Sequence, residues 1–337
     1  MKEIVNGSCF PCSGLATGTL RVRDGSGFVM IIRAGTKRVR SLGVHAAGAM
    51  LRALPWSLRK SVKQIPVLAG SQRWFLSSVM GTEAFVYRVD KGPARGVRFL
   101  IRWPEDKGLW TGTYEMPLAT CLAEMVPEGA IAYDIGGWHG FYTGVMAARG
   151  AKEVHVFEPL PDNVERIDAL KALNPEFRID VHPYALGDRD GSAELVVMPN
   201  TSMAKLAESE FQKEVFAPNR IQVRVARLDT LVSAGEIPPP ALIKMDVEGA
   251  ELKVLNGAVN LLKRFQPIIF VEVHSPALLT ECESALKAVG YEVCNPDGTR
   301  LDMSETSRSV IQILALPRRA RTIPRAAFTT KLGLKRV

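Results

Sequence analysis

From Ala130 onward, short apolar runs alternate with longer stretches in which apolar positions recur every third or fourth residue. The runs AIAYDI (130–135), EVHVFE (153–158), RIDVHPYAL (178–186), ALIKMDV (241–247) and PIIFVEVH (267–274) predict strands. The stretches between them predict helices over 140–149, 161–173, 249–264 and 276–289. YEVCN (291–295) and SVIQILALP (309–317) are expected to close the sheet as an antiparallel pair. Such alternation implies an α/β fold built on a doubly wound, mostly parallel sheet. Upstream, AFVYRVDKGPARGVRFLIRW (84–103) alternates in the strand period on both sides of KGPARG and predicts a hairpin, and 115–127 reads as a helix.

The first 40 residues are rich in Gly, Ser and Arg, with FVMII (28–32) as the one apolar burst, so poor order is expected there. The expected organisation is therefore a basic leader (1–40), a helical and hairpin lid region (41–115), the main domain (116–316) and a basic tail (317–337). Charge follows these divisions. Residues 1–70 carry a net +9 and 317–337 a net +7, leaving −8 on 71–316 in a chain of net +8. Because the basic residues sit on the flanks without interleaved aromatics, they read as solubilising or loosely surface-binding tails. No specific nucleic-acid partner is expected.

Five cysteines, an odd number, argue against a disulfide scaffold and for a reducing compartment. The CFPC pair (Cys9, Cys12) has metal or redox spacing but no second pair to complete a site. No run of about 18 apolar residues is present, so no transmembrane segment is expected. The opening lacks the build of a signal peptide, and the expected location is the cytoplasm. Residues 42–68 mix apolar positions with Arg52, Arg59, Lys60 and Lys63. They could make weak peripheral contact with an anionic membrane, although a packed helix is the plainer reading. The sequence carries no signature of oligomeric state.

The candidate chemistry begins at YDIGGWHG (133–140). In an open parallel sheet, ligands sit beyond the carboxyl ends of the strands where strand order reverses, and this loop leaves the first strand. Gly136 and Gly137 would let a ligand approach the backbone, and Gly140 would let the next helix pack on the strand. The glycines fall as G-G-x-x-G, not as the dinucleotide fingerprint G-x-G-x-x-G. Asp134 would repel a diphosphate by roughly 1 kcal/mol or more at partly buried distances. It would attract an ammonium or a sulfonium, and S-adenosylmethionine supplies both on a nucleoside without phosphate. Glu158, at the end of the second strand, is placed to accept hydrogen bonds from ribose hydroxyls. The plain alternative for both acids is helix capping.

These residues resemble the FkbM-type S-adenosylmethionine-dependent methyltransferases, over about 110–295 and more thinly from 84. The resemblance rests on WTGTYE (110–115), YDIGGWHGFYT (133–143), VFEPLPDNVERI (156–167), ALGDRDGSAEL (185–195), LDTL (228–231), IKMDVEGAELKVLNGA (243–258) and IIFVEVH (268–274). It implies a Rossmann-like fold of the class I methyltransferase type, with a final antiparallel strand. The activity it implies is methyl transfer from S-adenosylmethionine to a hydroxyl of a sugar or natural product. By position, Asp134, Gly136 and Gly140 look like the methionine-side loop and Glu158 like the ribose acid. Pro159 would shape the turn after it, and Ala185 with Leu186 would flank adenine. Glu115 would lie over the cofactor's amino group, where it could hold that ammonium or simply cap its helix. Gly137-Trp138-His139 stands where the family has a small residue and then Asn, which keeps open a non-catalytic binding module. A nicotinamide-dependent oxidoreductase is the rival enzyme class, disfavoured by Asp134 and by the glycine spacing.

Methyl transfer asks a protein for in-line positioning and removal of the acceptor's proton. KMDVEGAE places Lys244, Asp246, Glu248 and Glu251 at the end of the fourth strand, and EVH places Glu272 and His274 at the end of the fifth. Helix-dipole stabilisation is an adequate account of Glu248 or Glu251. The catalytic candidates are Asp246 beside the acceptor, His274 as favoured base, and Glu272; His139 is an outsider. Asp246, Glu272 and His274 together could ligate an ion such as Mg²⁺. No spacing compels this, so no metal is assigned. Acceptor contacts are expected from 1–115 and 196–222, which carry no motif naming the acceptor.

Overall fold

The computed structural model describes residues 84–102, 105–111, 114–197, 219–301 and 310–318, and the backbone of 19–23, 29–33 and 204–206. The CFPC pair, the 42–68 segment, most of the leader and nearly all of the tail lie outside the described residues. The chain divides into two compact bodies, Met1–Phe85 with Ile101–Tyr114, and Val86–Leu100 with Glu115–Val337. In the first, β1 (Thr19–Arg23) pairs antiparallel with β2 (Val29–Arg33). Helix α1 (Lys107–Thr111) follows a turn in which Asp106 Oδ2 accepts the Arg102 N–H at 2.7 Å.

The second body takes in Val86–Leu100, which is all but the end residues of the hairpin of β3 (Phe85–Arg88) and β4 (Arg98–Ile101), joined through the predicted KGPARG turn. The hairpin was expected with the lid region, yet its polar anchors lie in the main domain. The Arg98 N–H donates to Asn174 Oδ1 at 2.8 Å, and its guanidinium reaches the Leu173 carbonyl and Glu176. From the opposite side, the Arg149 guanidinium donates to the carbonyls of Gly92 and Pro93.

Helix α2 (Met116–Met125) leads into β5 (Ile131–Ile135), α3 (Phe141–Ala148), β6 (Glu153–Phe157), α4 (Pro161–Leu173) and β7 (Ile179–His182). Then come β8 (Ala185–Leu186), β9 (Gly191–Val197), β10 (Ala204–Leu206), β11 (Asn219–Ala226) and α5 (Leu228–Ser233). The chain continues through β12 (Leu242–Met245), α6 (Glu251–Asn256), α7 (Val259–Phe265), β13 (Ile268–Val273), α8 (Pro276–Ala288), β14 (Tyr291–Cys294) and β15 (Ile311–Pro317). The main sheet runs β7-β6-β5-β12-β13-β15-β14. Its pairings are parallel except for those of β15, which is antiparallel to both neighbours. Strand order reverses between β5 and β12, so the loop after β5 opens at the switch point.

Two departures from the sequence reading have local causes. The run 178–186 is not one strand: β7 joins the main sheet, whereas β8 pairs with β11 in a four-stranded sheet ordered β10-β9-β11-β8. Helix 249–264 is broken at Gly257, where a Cβ would lie 1.9 Å from the Gly187 carbonyl oxygen. The second piece, α7, has its first turn capped by Asp229, whose carboxylate accepts the N–H groups of Asn260 and Leu261. That contact gives LDTL a structural reason to exist.

Strand parity separates the two faces of the sheet. Tyr133, Ile135, Ile243, Ile269 and Val271 are at most 2% exposed and share a core cluster with Val254, Leu255, Leu261 and Leu279 from the helices. Burying each large side chain contributes about 1.5–3 kcal/mol, which fixes the register. The alternate positions then put Asp134, Lys244 and Glu272 together on the other face, with Lys244 opposite Asp134 in the ladder. Cys121, Cys282 and Cys294 are buried free thiols. Among the described residues no helix is long and apolar enough to cross a membrane.

Candidate active site

The loop after β5 is shaped first by packing. At Gly136 (φ 78°) a Cβ would lie 1.7 Å from the Asp246 carbonyl oxygen, and at Gly140 (φ 81°) it would lie 2.6 Å from Leu170 Cδ2. A Cβ on Gly137 would meet Val156 Cγ2 at 2.2 Å. The glycines therefore let the loop press onto the end of β12, onto β6 and onto α4. Trp138 (φ 50°) stacks its ring on His139, centroids 3.4 Å apart. Its backbone N–H donates to Glu158 Oε2 at 2.8 Å.

Glu158 Oε1 accepts the Leu160 N–H at 2.9 Å, so this carboxylate ties the glycine loop to the start of α4 across Pro159. The capping alternative thus describes one of its contacts. Each carboxylate oxygen has a second lone pair, so acceptor capacity remains for a hydroxyl donor. Glu158 is 5% exposed, and burial pushes its pKa up to about 7 against the pull of the two backbone N–H groups.

Asp134 is wholly buried. Its Oδ2 accepts the Thr143 hydroxyl at 2.6 Å, and its Oδ1 has no hydrogen-bond partner. Burial raises its pKa, while Lys244 and Thr143 work the other way. Lys244, 4% exposed, puts Nζ 3.3 Å from Asp246 Oδ2 and 4.8 Å above the Tyr142 ring. Burial opposes its charge, but Asp246, Asp134, Glu115 and Glu272 outweigh that and hold its pKa above the ordinary lysine value. The Tyr142 hydroxyl donates to Glu115 Oε2 at 2.6 Å. Glu115 sits at the first position before α2 in a left-handed conformation (φ 37°), and its side chain makes no capping hydrogen bond there. Its strained backbone aims the carboxylate at the tyrosine.

At the strand ends, His274 Nδ1 lies 2.7 Å from Glu251 Oε1, while Nε2 lies 3.3 Å from Glu248 Oε2 and 3.6 Å from Asp246 Oδ1. Burial opposes the imidazolium, but the Glu251 hydrogen bond and the charges of Glu251, Asp246 and Glu248 raise its pKa to about 9. An imidazolium has no lone pair with which to take a proton, so this surrounding disfavours His274 as the base. Glu248 (φ 53°) is pushed up to about 7 by burial, opposed by His274. Glu272 accepts from Gln312 Nε2 at 3.0 Å, and burial followed by Asp246 raises its pKa.

The structure thus gathers Glu115, Asp134, Asp246 and Glu272 around Lys244, with His274 beside Asp246. Leu186 is 4% exposed and belongs to the core cluster, which leaves half-buried Ala185 as the member of that pair able to meet a base. Lys244, Thr143 and Tyr142 were not among the candidates. A lysine inside the apolar run LIKM was a signal, because a buried lysine needs partners. Nothing in the sequence marks Tyr142 or Thr143 until the turn before α3 is built.

A parallel sheet that reverses at β5/β12, inserts one antiparallel strand beside its edge, and carries acids at the switch point defines the Rossmann-like class I methyltransferase fold. Residues 131–293 match the methyltransferase FkbM domain. The chain is 28% identical over 161 residues to the hexuronic acid methyltransferase AglP of Haloferax volcanii, a stretch covering 48% of this chain and 63% of that protein. It is 28% identical over 149 residues to methyltransferase 1 of Beauveria bassiana, covering 39% of this chain and 59% of that one. The chain thus spans about three fifths of the length of these curated relatives. The crystal structure of methyltransferase FkbM from Methylobacillus flagellatus KT superposes with a TM-score of 0.39 at 17% identity, covering 56% of this chain and 43% of that one.

Proposed function

We propose that this chain transfers a methyl group from S-adenosylmethionine to a hydroxyl of a sugar, glycolipid or natural-product acceptor. The observation that carries the reading is the excess of carboxylates over cations at the switch point. Asp134, Glu115, Asp246 and Glu272 all act on one buried Lys244. A cationic guest relieves that imbalance and a pyrophosphate worsens it. The residues fit the cofactor on this ground, and on the buried Asp134 Oδ1 that has no hydrogen-bond partner. Glu158 would hold the ribose, Glu115 with Asp134 the cationic methionine end, and Ala185 one face of the base.

When bound, S-adenosylmethionine supplies a methyl group already activated by its sulfonium. The protein then has to place the acceptor oxygen and take its proton. Asp246, with side-chain exposure of 24%, is fixed by Lys244 on Oδ2 and faces His274 with Oδ1, so its orientation is set before any acceptor arrives. Glu272, half-buried and with a raised pKa, is the assigned proton acceptor in place of His274. Support for a carbohydrate hydroxyl comes from the similarity to AglP, whose name assigns it hexuronic acid.

The non-catalytic alternative rested on Trp138. Its loop contact to Glu158 is made by the backbone N–H, which any residue supplies. Calorimetry on the full chain with S-adenosylmethionine and with NADH separates the two cofactor classes. Transfer of labelled methyl into fractionated lysate then sorts the acceptors. Binding of NADH alone, or label confined to nitrogen acceptors, would overturn the proposal.

A further inference from the structure

We infer that Asp246, Glu248 and His274 form a binding site for a divalent first-row cation at the mouth of the sheet. One ligand atom from each can be chosen so that all lie within 4.8 Å of one another. The set mixes two carboxylates with an imidazole, a donor combination suited to ions such as Mn²⁺ or Fe²⁺, with positions left for water or an acceptor oxygen.

Three features separate this cluster from a chance gathering of acids. His274 is 5% exposed and is gripped through Nδ1 by Glu251, itself wholly buried, at 2.7 Å. That is the outer carboxylate that orients a metal-binding histidine, and it directs Nε2 toward Asp246 and Glu248, where an ion would displace the proton that His274 carries in its absence. Asp246 Oδ1, the oxygen on the His274 side, is buried without a hydrogen-bond partner, because Lys244 engages only Oδ2. Glu248 reaches the cluster from a left-handed backbone (φ 53°), a conformation that costs energy in a residue with a side chain.

A second cluster, Glu153, His155 and Asp180, gives the contrast. There Asp180 is exposed, and His155 Nδ1 meets another imidazole, that of His182, at 2.9 Å instead of a buried carboxylate.

An ion at Asp246, Glu248 and His274 would draw an acceptor hydroxyl and make it easier to deprotonate. That use rests on the methyl-transfer reading, whereas binding of the ion does not. The test is titration of the full chain, freed of metal by chelator and dialysis, with Mn²⁺ followed by electron paramagnetic resonance. One saturable site per chain is expected. Asp246→Asn and His274→Ala should each weaken it by at least about tenfold with circular dichroism unchanged. Asp246→Asn, being nearly isosteric, keeps the test informative where removal of a buried histidine unfolds the chain. No saturable binding up to about 1 mM Mn²⁺, or equal binding by wild type and Asp246→Asn, overturns the site. S-Adenosylhomocysteine calorimetry on the same samples keeps the two readings apart. Cofactor binding without Mn²⁺ binding defeats the ion alone, and the reverse defeats the methyl-transfer reading alone.

Discussion

Replacing Glu158 by Gln tests the electrostatics of the glycine loop without reference to any ligand. In the folded protein the Glu158 carboxyl titrates at about 7, against an ordinary value of 4.5, because burial opposes its charge. The group is 5% exposed, so solvent screening removes little of this effect. A raised carboxyl means that the folded state binds the proton more tightly than the unfolded one. Its contribution to stability is therefore fully present below about 4.5 and is lost as pH rises through about 7. At about 1.4 kcal/mol per tenfold change in proton affinity, the loss is about 3 kcal/mol between roughly pH 4 and pH 8. Glutamine cannot ionise and removes this dependence. It also turns an NH₂ toward one of the two backbone donors, Trp138 N–H or Leu160 N–H, at a cost of about 1–3 kcal/mol at every pH. The variant should thus be the less stable protein near pH 5 and should match or exceed wild type near pH 8. Urea unfolding of both proteins across that range gives the difference directly. Parallel stability curves, with a difference independent of pH, would refute the account of Glu158 as a carboxylate strained by burial.

The other predictions concern contacts around the same loop. Lys244→Met leaves Asp134 buried without its cation and should cost about 3–5 kcal/mol in equilibrium unfolding, with Asp134→Asn in the same chain restoring part of the loss. Gly140→Ala forces a Cβ to 2.6 Å from Leu170 Cδ2 at φ 81° and should destabilise by about 1–3 kcal/mol, read as a lowered Tm. Tyr142→Phe removes the 2.6 Å hydrogen bond that fixes Glu115 and should raise KM for S-adenosylmethionine about tenfold with kcat little changed. An unaltered KM would show that Glu115 is held by its backbone alone.

The fold was legible where one physical pattern dominated. β5, β6, β12 and β13 are buried on both faces, mostly apolar, and bounded by Gly, Pro or charge, so their runs stood out. β9 and β11 were missed because GSAELVV alternates poorly and NRIQVRVA, which does alternate, begins within a stretch read as an insertion. The break at Gly257 could not be read, because its cause, the Gly187 carbonyl, is remote in sequence.

The site divides along the same line. Asp134, Glu158, Asp246, Glu272 and His274 could be nominated because strand ends at a switch point can be counted along the chain. What each does depends on neighbours that cannot be counted. Glu251 lies 23 residues before His274 and changes it from a proton acceptor into a held cation. Lys244 stands opposite Asp134 only because β12 and β5 are adjacent, and that adjacency places a compensating cation beside the acid. The sequence argument that a lone carboxylate selects a cationic guest must therefore be restated. Selection falls to a surplus of several acids over Lys244 and the His274 imidazolium, so removing any single acid should weaken binding of a cationic guest only in part.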